Sequence, residues 1–236
     1  MPILTQTASL VVGSCERLLT QDCLLCGAAS GRCLLCAACE ADLPRLPGQR
    51  CPRCALPTPH GEVCGRCLAK PPYYDRALVA FRYAFPLDKL VQSFKYGHRL
   101  ALGRYFGRQL AALTGESLAD LIVPLPLHPQ RLRQRGFNQA LELARPVGKA
   151  WQMPIDVRSC QRIRDTPAQA DLPWRERAKN VRGAFHCAAD FTGKRLLLVD
   201  DVMTTGASLG ELAQTLKRHG AAHVTLLVLA RALPPA

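Results

Sequence analysis

Leu196-Leu-Leu-Val-Asp200-Asp201-Val-Met-Thr204-Thr205-Gly206-Ala207-Ser208 joins a short apolar run, two adjacent acids and a small-residue loop that opens a helix. An unbroken apolar run such as Leu196 to Val199 suits a parallel strand covered on both faces. Leu209, Leu212, Ala213 and Leu216 follow at helical spacing, and Gly220 stands where that helix would stop. A helix N-terminus at the end of a parallel strand is an anion site, because free N–H groups and the positive dipole end face the ligand. Gly206 allows the backbone to come close, and the hydroxyls of Thr204, Thr205 and Ser208 add donors. Carboxylates cannot hold the same anion. They suit sugar hydroxyls or a nearby divalent cation. The chemistry implied is that of a phosphorylated sugar, although two acids ahead of a helix also occur as an ordinary capping turn.

The loop lacks the Gly-Lys-Thr or Gly-Lys-Ser of a Walker A sequence, and the chain contains no Gly-x-Gly-x-x-Gly. The order hydrophobic–Asp–Asp–x–x–Thr–Thr–Gly–x–Ser closely resembles the signature of type I phosphoribosyltransferases, which bind phosphoribosyl pyrophosphate. The resemblance implies that Asp200 and Asp201 contact the ribose hydroxyls. It also implies that Thr204, Thr205, Gly206, Ala207 and Ser208 cradle the 5′-phosphate, with Mg²⁺ accompanying the diphosphate.

At 236 residues and 25.8 kDa the chain can bury one full core and carry a small extra module. No apolar run is long enough to span a bilayer, and the N-terminus lacks the pattern of a secretory signal. A cytoplasmic protein with no membrane span is the expectation.

Ten of the 12 cysteines lie between Cys15 and Cys67, which a reducing compartment would not use as a disulfide framework. Cys23/Cys26, Cys36/Cys39, Cys51/Cys54 and Cys64/Cys67 have knuckle spacing. Two thiolates three positions apart can reach one tetrahedral ion, and two such pairs complete a tetrathiolate site. Eight ligands suggest two structural zinc ions, in lobes 23–39 and 51–67; one metallated lobe beside an empty turn is the alternative. Cys33 leaves the register open, since Cys33-x-x-Cys36 has the same spacing. Ala55 stands where such a turn favours a left-handed glycine, at a cost of about 1 kcal/mol. An all-cysteine site has no open coordination position, so these metals hold structure.

After Lys70-Pro-Pro the composition changes, which suggests a cysteine-rich module over 1–70 and a second domain over 71–236. Ala77 to Phe85, Leu121 to Val123 and Val224 to Leu229 read as strands. Leu87, Leu90, Val91 and Phe94 mark one helix face, Leu102, Phe106, Leu110 and Leu113 another, and a further helix spans about 138–148. This order predicts an α/β fold, a mainly parallel sheet flanked by helices, with its crevice at the carboxyl ends of the strands. Pro124-Leu-Pro-Leu-His128 leads into a basic turn, Arg131-Leu-Arg133-Gln-Arg135-Gly-Phe-Asn138-Gln139. Its arginines and amides read as a diphosphate or polyanion clamp, since guanidinium groups grip phosphate bidentately; a solvated charge run is the plainer alternative. A third stretch, Arg164-Asp-Thr166-Pro-Ala-Gln169 to Arg177-Ala-Lys-Asn180, is a long basic loop that could close over a ligand.

These segments together resemble the ComF family, which includes the competence-associated ComF proteins and the gluconate-linked GntX proteins. The residues that carry it are the paired cysteines, Pro-Leu-Pro-Leu-His with Arg-Gly-Phe-Asn-Gln, Thr-Pro-x-Gln with Arg-x-x-Asn-Val-x-Gly-Ala-Phe, and the Asp-Asp loop. They run from about Cys23 to Ala230, and Ala55 and Cys33 are the departures. The resemblance implies a type I phosphoribosyltransferase-like domain behind a double zinc ribbon, and a link to natural transformation and its DNA-uptake proteins.

The net charge is +13, and residues 70–182 hold 20 Lys and Arg against 9 Asp and Glu. A concentrated basic field draws polyanions, single-stranded DNA among them. Two functions from different classes remain open. The chain could bind phosphoribosyl pyrophosphate and single-stranded DNA as an accessory of DNA uptake. It could instead be a working phosphoribosyltransferase in nucleotide metabolism, although no residue stands out as a general base or acceptor-base reader.

Overall fold

A computed structural model describes residues 21–46, 48–113, 119–165 and 180–234. The described residues up to Leu43 form one compact unit and those from Pro44 onward another. In the first, β1 (Gln21–Asp22) pairs antiparallel with β2 (Ala29–Gly31), and a one-turn helix α1 (Ala37–Ala41) follows. Gly27 adopts φ +74° in the turn after Cys23 and Cys26, and its N–H donates to Cys23 O at 2.9 Å. That bond reverses the chain tightly enough to present both sulfurs on one side.

The second unit carries the second cysteine group, its helix α2 (Gly65–Ala69), and a four-stranded parallel sheet. The strands are β3 (Arg76–Arg82), β4 (Leu121–Pro124), β7 (Arg195–Met203) and β8 (His223–Arg231), in spatial order β3-β8-β7-β4. Between β4 and β7 in sequence, β5 (Cys160–Arg162) and β6 (Phe185–Cys187) pair antiparallel outside that sheet. The apolar run of β7 is buried throughout, as are Val224 to Ala230 of β8. Both central strands are therefore covered on two faces, which is why neither shows the alternation of a half-exposed strand.

Helices α3 (Leu87–Tyr96), α4 (Leu100–Ala111), α5 (Pro129–Arg135), α6 (Gln139–Trp151) and α7 (Ala207–Arg218) complete the unit. Leu209, Leu212 and Leu216 of α7 share a buried cluster with Leu196 and Leu198 of β7 and Leu226 and Val228 of β8. Side chains alternate along a strand, so Leu197, Val199, Leu227 and Leu229 turn to the opposite face, and α4 and α6 pack against the sheet as well as against each other. The α4–α6 contact is close because of two glycines. A Cβ at Gly107 would lie 2.6 Å from Pro146 Cγ, and one at Gly103 would lie 3.0 Å from Glu142 Cβ.

Ala55 has φ +57° and is fully buried, the left-handed position expected from its place after the knuckle. Its N–H donates to Cys51 O at 2.9 Å, the bond that Gly27 makes in the first lobe. Residues 129–135 are a helix, not the turn expected from their charge. Pro129 at the first helical position and Gly136 at φ +79° after the last bound it.

Candidate functional site

Asp200 and Asp201 end the buried part of β7, where the strand leads into the loop and α7. Asp200 continues the phase of Leu196 and Leu198, and Asp201 that of Leu197 and Val199, so the two carboxylates leave opposite faces of the strand. Asp201 is buried and pairs with Lys95 of α3, Nζ to Oδ2 3.0 Å. Burial lowers the Lys95 pKa, but the charges of Asp201 and then Asp200 reverse this and raise it. Asp200 has no such partner contact among the described residues. Burial, then the neighbouring Asp201 charge, pushes its pKa up to about 7.

The cations of the site come from three elements. Arg131 and Arg135 are one helical turn apart on α5 and share a face, whereas Arg133 points away and is exposed. Arg135 stacks over the Tyr96 ring at 5.3 Å, and its charge opposes that of Lys95. Arg162 of β5 feels burial and then the charge of Arg131, both lowering its pKa, against an opposing pull from Asp200. Lys95 therefore pairs with Asp201 and acts on Asp200, and Arg162 acts on Asp200, while Arg131 and Arg135 stand one cation further out, through their repulsion of Arg162 and Lys95. Lys95 and Arg162 were not singled out from sequence. Lys95 could have been, since it lies four residues after Val91 on the stripe that α3 buries.

One amide of the expected clamp, Asn138, serves the backbone. Asn138 Oδ1 accepts from the N–H of Ala140 (2.9 Å) and Leu141 (3.4 Å), and Nδ2 donates to Leu125 O at 3.1 Å. It is the N-cap of α6. Gln139 is buried, and its Nε2 has no partner among the described residues. From the expected closing loop, Arg164 donates to Arg182 O and Asn180 is described, while Thr166, Gln169 and Arg177 lie outside the described residues.

Gly206 takes φ +80° and caps α7. Thr205 Oγ1 accepts from Ala207 N at 3.2 Å, while Ser208 lies in the first helical turn. When successive N–H groups of such a loop point toward an anion, their carbonyls point backward and need donors of their own. Two arginines supply them. Arg231 Nη1 donates to Met203 O at 2.8 Å and to Thr204 O, and Arg66 Nη2 donates to Thr205 O at 3.2 Å. Behind the loop lies a cleft of about 970 Å³, lined among others by Arg66, Lys70, Tyr73, Arg182 and Arg218.

Two cysteine groups are assembled. The sulfurs of Cys23, Cys26, Cys36 and Cys39 lie within 4.8 Å of one another, as do those of Cys51, Cys54, Cys64 and Cys67. This settles the register: Cys33 is outside the first group and exposed. Burial raises the Cys23 and Cys51 thiols, yet backbone N–H donors from both knuckles of each group, Cys26 and Cys36 for the first and Cys64 and Cys54 for the second, bring them down to about 6 and about 7. Donors aimed at sulfur favour the thiolate, the form that binds metal. Four sulfurs at this spacing suit tetrahedral zinc and leave no position for substrate.

Residues 15–68 match the model of a double zinc ribbon domain, and residues 156–233 that of a phosphoribosyl transferase domain. DNA utilization protein YhgH of Escherichia coli is 36% identical over 221 residues, spanning 89% of this chain and 97% of its own. Competence protein F of Haemophilus influenzae is 30% identical over 209 residues, 84% of this chain and 90% of its own. The chain belongs to the ComF family. Competence protein ComFC of Streptococcus pneumoniae is a more distant relative, 24% identical over 229 residues and aligned along 99% of its length. As a ComF protein, the chain thus joins structural zinc ribbons to a phosphoribosyltransferase-like sheet. Purine phosphoribosyltransferase from Pyrococcus horikoshii Ot3 aligns with 57% of this chain and 74% of its own, at 18% identity and TM-score 0.30, too loose a likeness to add to the argument.

Proposed function

We propose that this ComF protein binds phosphoribosyl pyrophosphate with Mg²⁺ at the end of β7 and engages single-stranded DNA as an accessory of DNA uptake. The observation that carries the reading is the meeting of Asp200 and Asp201 with Lys95 and Arg162, with Arg131 and Arg135 next in line, beside a loop built to present N–H groups. Acids that accept from ribose hydroxyls, cations for a diphosphate and a helix N-terminus for a terminal phosphate are the three complements that this ligand requires. The relatives' names, DNA utilization protein and competence protein, support the DNA half. So do the net charge of +13 and the cationic cleft behind the loop, where Tyr73 offers an exposed ring for stacking.

Calorimetry with phosphoribosyl pyrophosphate and Mg²⁺ tests the reading. Asp200→Asn combined with Asp201→Asn should weaken binding at least tenfold, and unchanged affinity would remove it. One observation favours a second reading, an active phosphoribosyltransferase. A carboxyl poised near pH 7 under the charges of Lys95 and Arg162, as Asp200 is, suits proton transfer from an acceptor nucleophile. Release of pyrophosphate when candidate bases are supplied separates the enzyme from the binder.

A further inference from the structure

Arg231 closes β8 after seven residues that are wholly buried and, apart from Thr225, apolar, and it has no exposed surface itself. A cation so placed requires a counter-charge. None of the described carboxylates pairs with it. Its hydrogen bonds all run to carbonyls: Nε to Cys54 O at 2.9 Å, and Nη1 to Met203 O at 2.8 Å, to Ala232 O at 2.7 Å and to Thr204 O. Its Nη2 is buried without a partner. The Nε bond to the Cys54 carbonyl sets the guanidinium directly against a knuckle of the second cysteine group. Four thiolates around a divalent zinc carry a net charge of about −2, and Cys54, whose carbonyl Arg231 touches, belongs to the second cysteine group. The same guanidinium therefore touches a metal knuckle on one side and the rear of the phosphate loop on the other. Arg66, between Cys64 and Cys67 on α2, adds the next contact in line through Thr205 O. Three consecutive loop carbonyls, those of residues 203, 204 and 205, are thus held by two arginines tied to the second lobe.

We propose that Arg231 is a positioning residue shared by two sites. It is the counter-charge of the tetrathiolate cluster of Cys51, Cys54, Cys64 and Cys67, and it fixes the carbonyls behind the phosphate loop, so that metal loading of the second lobe sets the affinity of the loop for a sugar phosphate. The loop half of this inference rests on the sugar-phosphate reading above; the metal half does not.

The test uses the full chain, zinc content and zinc affinity measured by competition with a chromophoric chelator, and ribose 5-phosphate as the calorimetric probe. Arg231→Met should drop zinc from two ions per chain to one and weaken the probe at least tenfold. Arg231→Lys keeps the charge but cannot span the carbonyls; it should retain both ions and still lose about tenfold in probe affinity. Cys64→Ser should weaken the probe equally, whereas Cys36→Ser, which disables the other lobe, should leave it within twofold. Two ions held at wild-type affinity in Arg231→Met would overturn the counter-charge. Wild-type probe affinity in Arg231→Lys or in Cys64→Ser would overturn the coupling, and the lysine variant decides this even if the methionine variant does not fold. A wild-type protein that ignores ribose 5-phosphate would sink the sugar-phosphate reading and with it the coupling, while the zinc arm still judges the counter-charge.

Discussion

Along β7 the side chains alternate, so Asp200 and Asp201 meet different surroundings and should respond differently to substitution. Asp200 carries its proton in the folded protein up to about pH 7, whereas in the unfolded chain it loses it near pH 4. Between those values the folded state holds the extra proton, and this group's contribution to stability falls as pH rises. Asp200→Asn removes that penalty. Its melting temperature should exceed wild type by about 3 °C or more at pH 8 and match it at pH 4, while sugar-diphosphate binding is lost. Scanning calorimetry at the two pH values reads the difference. Asp201 presents the opposite case, a buried carboxylate already paired. Lys95→Ala leaves it alone and should cost about 3 kcal/mol in urea unfolding. Adding Asp201→Asn to Lys95→Met should restore most of the loss, as expected when the cost lies in the orphaned charge. The acids themselves were legible in sequence because their motif is contiguous. Lys95 was not, since its partner is 106 positions away and only its place on the buried stripe of α3 gives it away.

Among the elements, strand β7 and helix α7 could be read directly, because an unbroken apolar run and a strict helical repeat leave little choice. The segment from Arg131 to Arg135 was less readable. Charge density suggests a turn, but Pro129 and Gly136 make it a helix, and helical geometry turns Arg133 away from Arg131 and Arg135. Asn138 shows the same ambiguity on a smaller scale. An asparagine beside arginines suits a ligand or a cap equally well, and here the two N–H groups of α6 take its oxygen. The contact between α4 and α6 depends on Gly107. Gly107→Ala would place a methyl against Pro146 and the carbonyl of Leu143, at 2.6 and 2.8 Å before relaxation. A loss of about 2 kcal/mol in urea unfolding is expected, larger than for Gly210→Ala on α7, where a Cβ would meet nothing within 4 Å.

At the scale of the whole molecule, cysteine spacing specified the four knuckles but not the body with which each lobe folds. The second lobe lies in the same compact unit as the sheet, through contacts such as Arg231 to Cys54 O that no local pattern encodes. The charge balance, by contrast, is a property of composition and needs no fold. If the basic surface takes single-stranded DNA, the logarithm of the affinity should fall linearly with the logarithm of salt, with a slope near −0.7 per phosphate neutralised. Arg131→Glu with Arg133→Glu should flatten that slope by about one unit or more, measured by fluorescence anisotropy with an unstructured oligonucleotide.

The order β3-β8-β7-β4 places the last strand in the interior of the sheet, between β7, made just before it, and β3, made much earlier. Arg76 of β3 lies opposite Thr225 of β8, so its neighbour in the ladder is about 150 residues downstream. On a translating ribosome, β3 therefore emerges with no sheet partner, and β7 with β4 on one side and nothing on the other. Until His223 to Arg231 has cleared the exit tunnel, two apolar edges are exposed with nothing between them. Such a nascent chain is a natural client for holdase chaperones, and a premature stop codon between β7 and β8 would leave β3 a lone strand apart from the β7–β4 pair instead of a shortened protein.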